Sequence, residues 1–334
     1  MVQIFRDIFY YPHPLGANCN VYAFKDGQHI DLIDSGVLKL GIVRQVWREM
    51  RKDGLDPYQI RKIVHPHYHF DHVQADTFFQ RKAQKYGRQI DIWIPGPDRF
   101  RASPKFSMLE WNLHDLRQTF PNMDTTHLTA LYRKTQGLKP LIDCPTPENI
   151  RTLNNEDLIT LGKRKAKVYI TGGHTEGHAF LHINDEDNIL YTGDHDALNE
   201  FTCNWGNTLR SVCLAQELEP DNVFIGHNKV RLGKESAMGF INSYFAQFDD
   251  LFAKFLGKLR KGYNLNLTRL ARALIGWPSK IQVLDLYAHM AIYVICKHLQ
   301  ALSIGELNLN EDGEMRFLII QNLEDINLRQ TLGI

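Results

Sequence analysis

The chain has 334 residues, enough for one large domain or for a catalytic domain with an appendage. Its 43% hydrophobic content can fill a substantial core, and 23% charged residues is ordinary for a soluble protein. A formal net charge of +1 leaves no global electrostatic footprint for nucleic acid or an anionic membrane, which argues against both as partners.

The N-terminal stretch MVQIFRDIFYYPHPLG mixes charges and prolines where a signal peptide needs an apolar run. No segment reaches the ~18 consecutive apolar residues of a membrane span; the longest, around Ala288 to Cys296, ends at Lys297. Five cysteines (Cys19, Cys144, Cys203, Cys213, Cys296) are scattered without a CxxC pair. They read as reduced thiols of a cytoplasmic protein, not as a disulfide framework or a thiolate metal site.

In chain order, 20–25 and 29–33 are short strands joined by an Asp26-Gly27 hairpin turn. Leu40, Val43, Val46, Trp47 and Met50 share one face of a helix predicted over 38–50. A strand at 60–64 runs into His65, a helix follows over 73–86, and another strand covers 90–94. This alternation predicts a layered α/β domain. Residues from about 97 to 147 break the rhythm and read as a helical insertion rich in aromatics (Phe106, Trp111, Phe120, Tyr132). Strands return at 149–153, 157–161, 167–171, 179–183, 188–192 and 223–226. Beyond His227 the pattern turns helical, over 238–259, 267–274 and 283–302. It closes on a hairpin at 304–320, a unit that could be winged-helix-like.

Histidine is the informative residue, with 15 in all, and several cluster near acidic residues. His67 and His69 lie two apart where a strand ends, and in extended backbone such residues point the same way. Asp71 and His72 follow where the chain starts a helix, so a turn can swing them towards a second cation. Three more candidates each follow a strand: His174 in GGHTEGH (172–178), Asp194 in TGDH (192–195) and His227 in IGH (225–227). The glycines let the backbone turn tightly. His65 reads as a packed strand-end residue.

With IDSG at 33–36 and HYHFDH at 67–72, these motifs make the chain resemble the metallo-β-lactamase superfamily, in its glyoxalase II-like hydrolase branch, over roughly residues 15–230. The resemblance implies an αββα sandwich with the metals at one edge of two facing sheets. It implies His67, His69 and His174 on one metal, Asp71, His72 and His227 on a second, and Asp194 bridging them. Asp34 and His178 match positions that orient ligands. Two divalent cations would generate a bridging hydroxide to cleave a small ester, thioester or lactone, with Asp71 orienting it or carrying a proton. Nitrogen and oxygen ligands suit zinc, with iron or manganese as alternatives.

Pro66 stands where this family often has threonine, and Ala197 replaces the tyrosine characteristic of acyl-homoserine lactonases. The absence of a cysteine ligand departs from zinc β-lactamases with a thiolate site and argues against antibiotic hydrolysis. Rival readings are a phosphodiesterase or nuclease on the same centre (with Arg81-Lys82 and Lys163-Arg164-Lys165 as basic runs), a mononuclear iron persulfide dioxygenase, and a metal-bound ligand-binding or regulatory protein with little turnover. The expected organisation is a catalytic domain over 1–234, carrying the insertion, and a C-terminal helical extension over 235–334. The expected partner is a small-molecule substrate. Phe240, Tyr244, Phe248 and Phe252 could pack in a core or serve a homodimer.

Overall fold

A computed structural model of the chain describes residues 2–12, 19–38, 41–101, 146–195, 205–258, 264–266, 296, 300, 305–309, 311 and 315–320. Two mixed sheets face each other. The first has seven strands in sequential order: β1 (Val2–Phe5), β2 (Ile8–Tyr11), β3 (Val21–Asp26), β4 (His29–Ile33), β5 (Ile60–Val64), β6 (Asp91–Pro95) and β7 (Ile150–Leu153). β1 to β4 form an antiparallel meander, and β4 to β7 run parallel. The second sheet takes β8 (Leu158–Leu161), β9 (Arg164–Ile170), β10 (Ala179–Ile183), β11 (Ile189–Tyr191), β12 (Asn222–Phe224) and β13 (Arg231–Leu232) in that order, parallel only between β11 and β12.

Period-two alternation divides the first sheet between two cores. Ile8, Tyr10, Tyr22, Phe24 and Ile33 point inward to meet Leu161, Val168, Leu181, Tyr191 and Phe224 of the second sheet. Phe9, Tyr11, Val21, Ala23 and Leu32 point the other way, against helices α1 (Ile42–Lys52) and α3 (Asp76–Gln84). Val43, Val46, Trp47 and Met50 form the buried stripe of α1, at the spacing the sequence predicts. α1 starts at Ile42, later than expected, because Gly41 before it is left-handed at φ 76°, a conformation an α-helix cannot contain. The helix expected over 73–86 is α3, shorter at both ends, and a separate single turn α2 (Phe70–Val73) precedes it. The result is the αββα sandwich.

Several of the described elements were not foreseen. β1 and β2 open the first sheet, and all four residues of β2 are buried, so no polar alternation marks that strand. β13 is a two-residue edge. α4 (Trp205–Leu218) buries Thr208 and Ser211 beside Leu209, Val212 and Ala215, and these polar residues blur its apolar stripe. α5 (Lys234–Lys258) covers the helix expected from 238.

By contacts the chain divides into two compact units. The first comprises Met1–Phe106, Leu141–Ala197 and Ser211–Asn242; the second comprises Ser107–Pro140, Leu198–Arg210 and Ser243–Ile334. In the second, the expected C-terminal hairpin pairs β15 (Gly305–Leu309) with β16 (Met315–Ile319), and β14 (Asn264–Asn266) adds an unforeseen third strand along β16. Most of the insertion, Ala197, and nearly all of the helices expected at 267–274 and 283–302 lie outside the described residues, and so does the helical part of the winged-helix reading. Tyr244 is buried and Phe240 half-buried; the side chains of Phe248 and Phe252 lie outside the described set. Among the described residues no helix is long and apolar enough to cross a membrane.

Candidate metal centre

Four strand ends of the first unit meet at one edge of the sandwich. β5 stops at Val64, as the sequence predicts, and His67 and His69 sit in the loop that leaves it, their rings 4.5 Å apart. Backbone at His69 is still extended, and the single turn α2 then reverses the chain and carries Asp71 and His72 back towards them. β9 leads to His174, β11 to Asp194 and β12 to His227.

These seven side chains form two groups. His67, His69, His174 and Asp194 offer donor atoms within 4.8 Å of one another, and so do Asp71, His72 and His227. Asp194 touches both groups. Its Oδ2 lies 3.4 Å from His174 Nε2, 3.6 Å from His67 Nε2 and 3.3 Å from His227 Nε2, while its Oδ1 lies 3.0 Å from His72 Nε2. Asp71 Oδ2 is 3.1 Å from His227 Nε2 and 3.8 Å from His72 Nε2. His174 Nε2 and His69 Nδ1 face each other at 2.9 Å. Both nitrogens of His67, Nε2 of His72 and Oδ1 of Asp194 are buried without a hydrogen-bond partner. Leaving such atoms unsatisfied is costly, and a bound cation is what this donor set fits.

The electrostatics of the two groups differ. Burial, reinforced by neighbouring imidazoles, pushes His69 down to about 4 and His174 down to about 3, and holds His67 well below its ordinary value. Their rings are neutral at pH 7. Burial also opposes charge on His72 and His227, but carboxylates outweigh it. Asp34 and Asp194 raise His72 well above its usual value, and Asp194 with Asp71 raises His227 to about 11. Burial would raise Asp71 and Asp194, yet His72 and His227 around Asp71, and His72 and His67 around Asp194, hold both carboxyls below the usual range.

A second layer fixes the donors. Asp34, at φ 63° just past β4, accepts from His72 Nδ1 at 2.8 Å and from the Tyr191 hydroxyl in a short contact. His178 accepts the Asp194 backbone N–H at its Nε2 (3.3 Å) and meets Thr171 Oγ1 through Nδ1. Both roles agree with the sequence reading. His65 is more than a packed strand-end residue. Its Nδ1 is 3.0 Å from Asp34 Oδ1 and its Nε2 is 3.0 Å from Asp76 Oδ1. Burial disfavours its charge, but the two carboxylates prevail and push it up to about 9. Tyr22 donates to Ile225 O at 2.7 Å, and Asn20 Nδ2 donates to Ile225 O and Asn228 O, clamping the loop of His227. Asp98, in the 3-10 helix Gly96–Arg101, clamps the loop of His174. Asn20, Tyr22, Asp76, Asp98 and Tyr191 carry no sequence signal, since each meets its partner only through the fold. Cys19, a buried thiol, lies beside Asp34 and His72.

Gly193 shows how tight the frame is. At φ 54°, a Cβ there would lie 2.6 Å from His178 Nε2 and 2.9 Å from Pro66 Cβ. Gly193→Ala is expected to cost about 3 kcal/mol or more, ~1–2 for left-handed backbone and the rest for overpacking. Urea unfolding of the variant beside the wild-type chain measures it.

The profile of the family described as Metallo-beta-lactamase superfamily matches residues 14–227, and the chain belongs to that superfamily. It is similar in structure to a metallo-beta-lactamase family protein from Thermus thermophilus, with TM-score 0.67 and 15% identity, covering 95% of this chain and 100% of that one. A beta-lactamase domain protein from Burkholderia ambifaria gives 0.69 and 16%, covering 95% and 93%. BJP-1, a subclass B3 metallo-beta-lactamase of Bradyrhizobium japonicum, gives 0.52 and 16%, covering 76% and 93%. At such identities these likenesses speak for the fold. Comparison with curated protein sequences returns no match.

Proposed function

We propose that this chain is a two-metal hydrolase of the glyoxalase II-like branch, holding two divalent cations, zinc first among them, and cleaving a small ester, thioester or lactone. The observation that carries this reading is Asp194, whose carboxylate lies between the two groups, with Oδ2 facing His67, His174 and His227 and Oδ1 facing His72. When bound, a pair of divalent cations lowers the pKa of a water and polarises the oxygen of the substrate carbonyl. His67, His69 and His174 would supply neutral nitrogens to one cation, and Asp71, His72 and His227 would hold the other. Asp71, kept anionic by His72 and His227, would orient the attacking water and take up its proton. Asp34 holds His72 through Nδ1, which leaves Nε2 for the cation. No serine or cysteine nucleophile is required.

Two observations weigh against the rival readings. Asp71, His72 and His227 are assembled as fully as the first group, which a mononuclear iron dioxygenase does not need. The basic run Lys163–Lys165 opens β9, at the opposite end of that strand from His174, and Arg164 is locked there by Asp7, Asp185 and Asp187. Lys82 lies over the rings of Trp47 and Phe78. Neither run is set out as a stripe for a phosphodiester backbone.

The test is elemental analysis of the purified chain together with a panel of thioesters, lactones, simple esters and phosphodiesters. A β-lactam is included because BJP-1 carries that description. Two divalent ions per chain and turnover of a carboxylic ester, thioester or lactone are expected. A protein holding one iron and hydrolysing nothing overturns the reading.

A further inference from the structure

Two of the ligand rings are held in different ways. His72 is oriented through its own ring, since Asp34 engages Nδ1. The Nδ1 of His174 is buried with no hydrogen-bond partner, so nothing of that kind aims its ring. Its placement therefore depends on the backbone of the loop between β9 and β10. That loop begins with Gly172-Gly173, and Gly172 sits at φ 62°, so it is intrinsically permissive. Its neck is closed by Thr171 N and Gly172 N, both donating to His178 O. Its tip is held from outside.

The holder is Asp98, completely buried and supplied by the turn after β6, on the other sheet. Its Oδ2 accepts the Thr175 hydroxyl at 2.5 Å and its Oδ1 accepts the Gly177 N–H at 2.9 Å. The two bonds grip the chain one and three residues after His174. The approach is close enough to demand glycine: a Cβ on Gly177 would lie 2.7 Å from Asp98 Cγ. A metal ligand must be held to within about half an ångström to bind well.

We propose that Asp98 is the positioning residue for His174, setting the cation affinity of the first group while leaving the second group untouched. This rests on the two-metal reading of the site. Outer partners of ligands contribute about 10- to 100-fold to metal affinity, and Asp98 acts on the ligand through its backbone.

The test is zinc affinity by chelator competition on the full chain, with melting temperature recorded alongside. His174→Ala and His227→Ala mark which of the two affinities belongs to which group. Asp98→Ala is expected to weaken the first-group affinity about 10- to 100-fold, with the second group unchanged. Thr175→Val should weaken the same step to a smaller extent, and Thr175→Ser, which keeps the hydroxyl, should restore it. This pair decides the matter if Asp98→Ala does not fold. Unchanged affinities in Asp98→Ala and Thr175→Val overturn the proposal, and so does an equal loss at both groups, which marks a merely structural role. A wild-type chain that loads two zinc ions yet cleaves no substrate overturns the hydrolase reading and leaves this inference standing. A wild-type chain that takes no zinc overturns both.

Discussion

Asp194→Asn is expected to lower hydrolytic turnover by about 10³-fold or more, the several kcal/mol that a two-metal clamp contributes to the transition state. Its carboxylate reaches both groups: one oxygen faces His67, His174 and His227, the other faces His72. Asparagine keeps the size but removes the charge and one of the two anionic oxygens. Its amide nitrogen would then face imidazoles whose lone pairs are needed for cations. The variant should bind the two cations unequally and more weakly. Steady-state kinetics on the best substrate of the panel, with metal content measured on the same sample, checks it. Activity within tenfold of wild type would remove Asp194 from the centre of the site.

Metal loading should depend on pH in the second group and hardly at all in the first. His67, His69 and His174 are neutral at pH 7, because burial and their neighbours hold their values down, to about 4 for His69 and about 3 for His174. A cation binding there displaces no proton above about pH 5. His227 is raised to about 11, and His72 is raised as well. A cation binding there must displace a proton from a group that holds it throughout the neutral range. The sign follows: affinity at the second group rises as pH rises towards about 11, tenfold per unit for each proton displaced. Between pH 6 and 9 a single displaced proton amounts to about 10³-fold. Zinc titrations across that interval, with proton release read from buffers of different ionisation enthalpy, measure both slopes. Two flat profiles would count against the charge pattern of this site.

How much of the site could be read in advance depended on distance along the chain. His67, His69, Asp71 and His72 were legible because they are contiguous, and a strand followed by a turn and a helix is enough to converge them. His174, Asp194 and His227 were legible one at a time, each at the end of an apolar β-rich run. His65 was read as packed at a strand end, which its burial bears out, but its partners stayed hidden because a histidine after a strand looks the same whether it is merely packed or set between two carboxylates. Its partners, Asp34 and Asp76, are 31 and 11 residues away. Asp98 could not be seen at all: its bonds reach 77 and 79 residues along the chain, and nothing periodic marks it. β2 was hidden for a different reason. A strand buried on both faces loses the alternation by which strands are recognised.

By itself the sequence determined the superfamily and the donor types that the candidate centre offers. Donor atoms placed at strand ends with glycines beside them fit a cation site, and the strand–helix alternation specifies the layered α/β fold that presents them. Only the tertiary structure decided how each donor is aimed and charged. Closing the sandwich brings Asp194 between two groups, places Asp34 on His72 and Asp98 on the His174 loop, and buries three imidazoles beyond the reach of protons while two others keep theirs. Ligand identity is a local property of the chain. Orientation and protonation come from burial and from partners that meet only when the two sheets do.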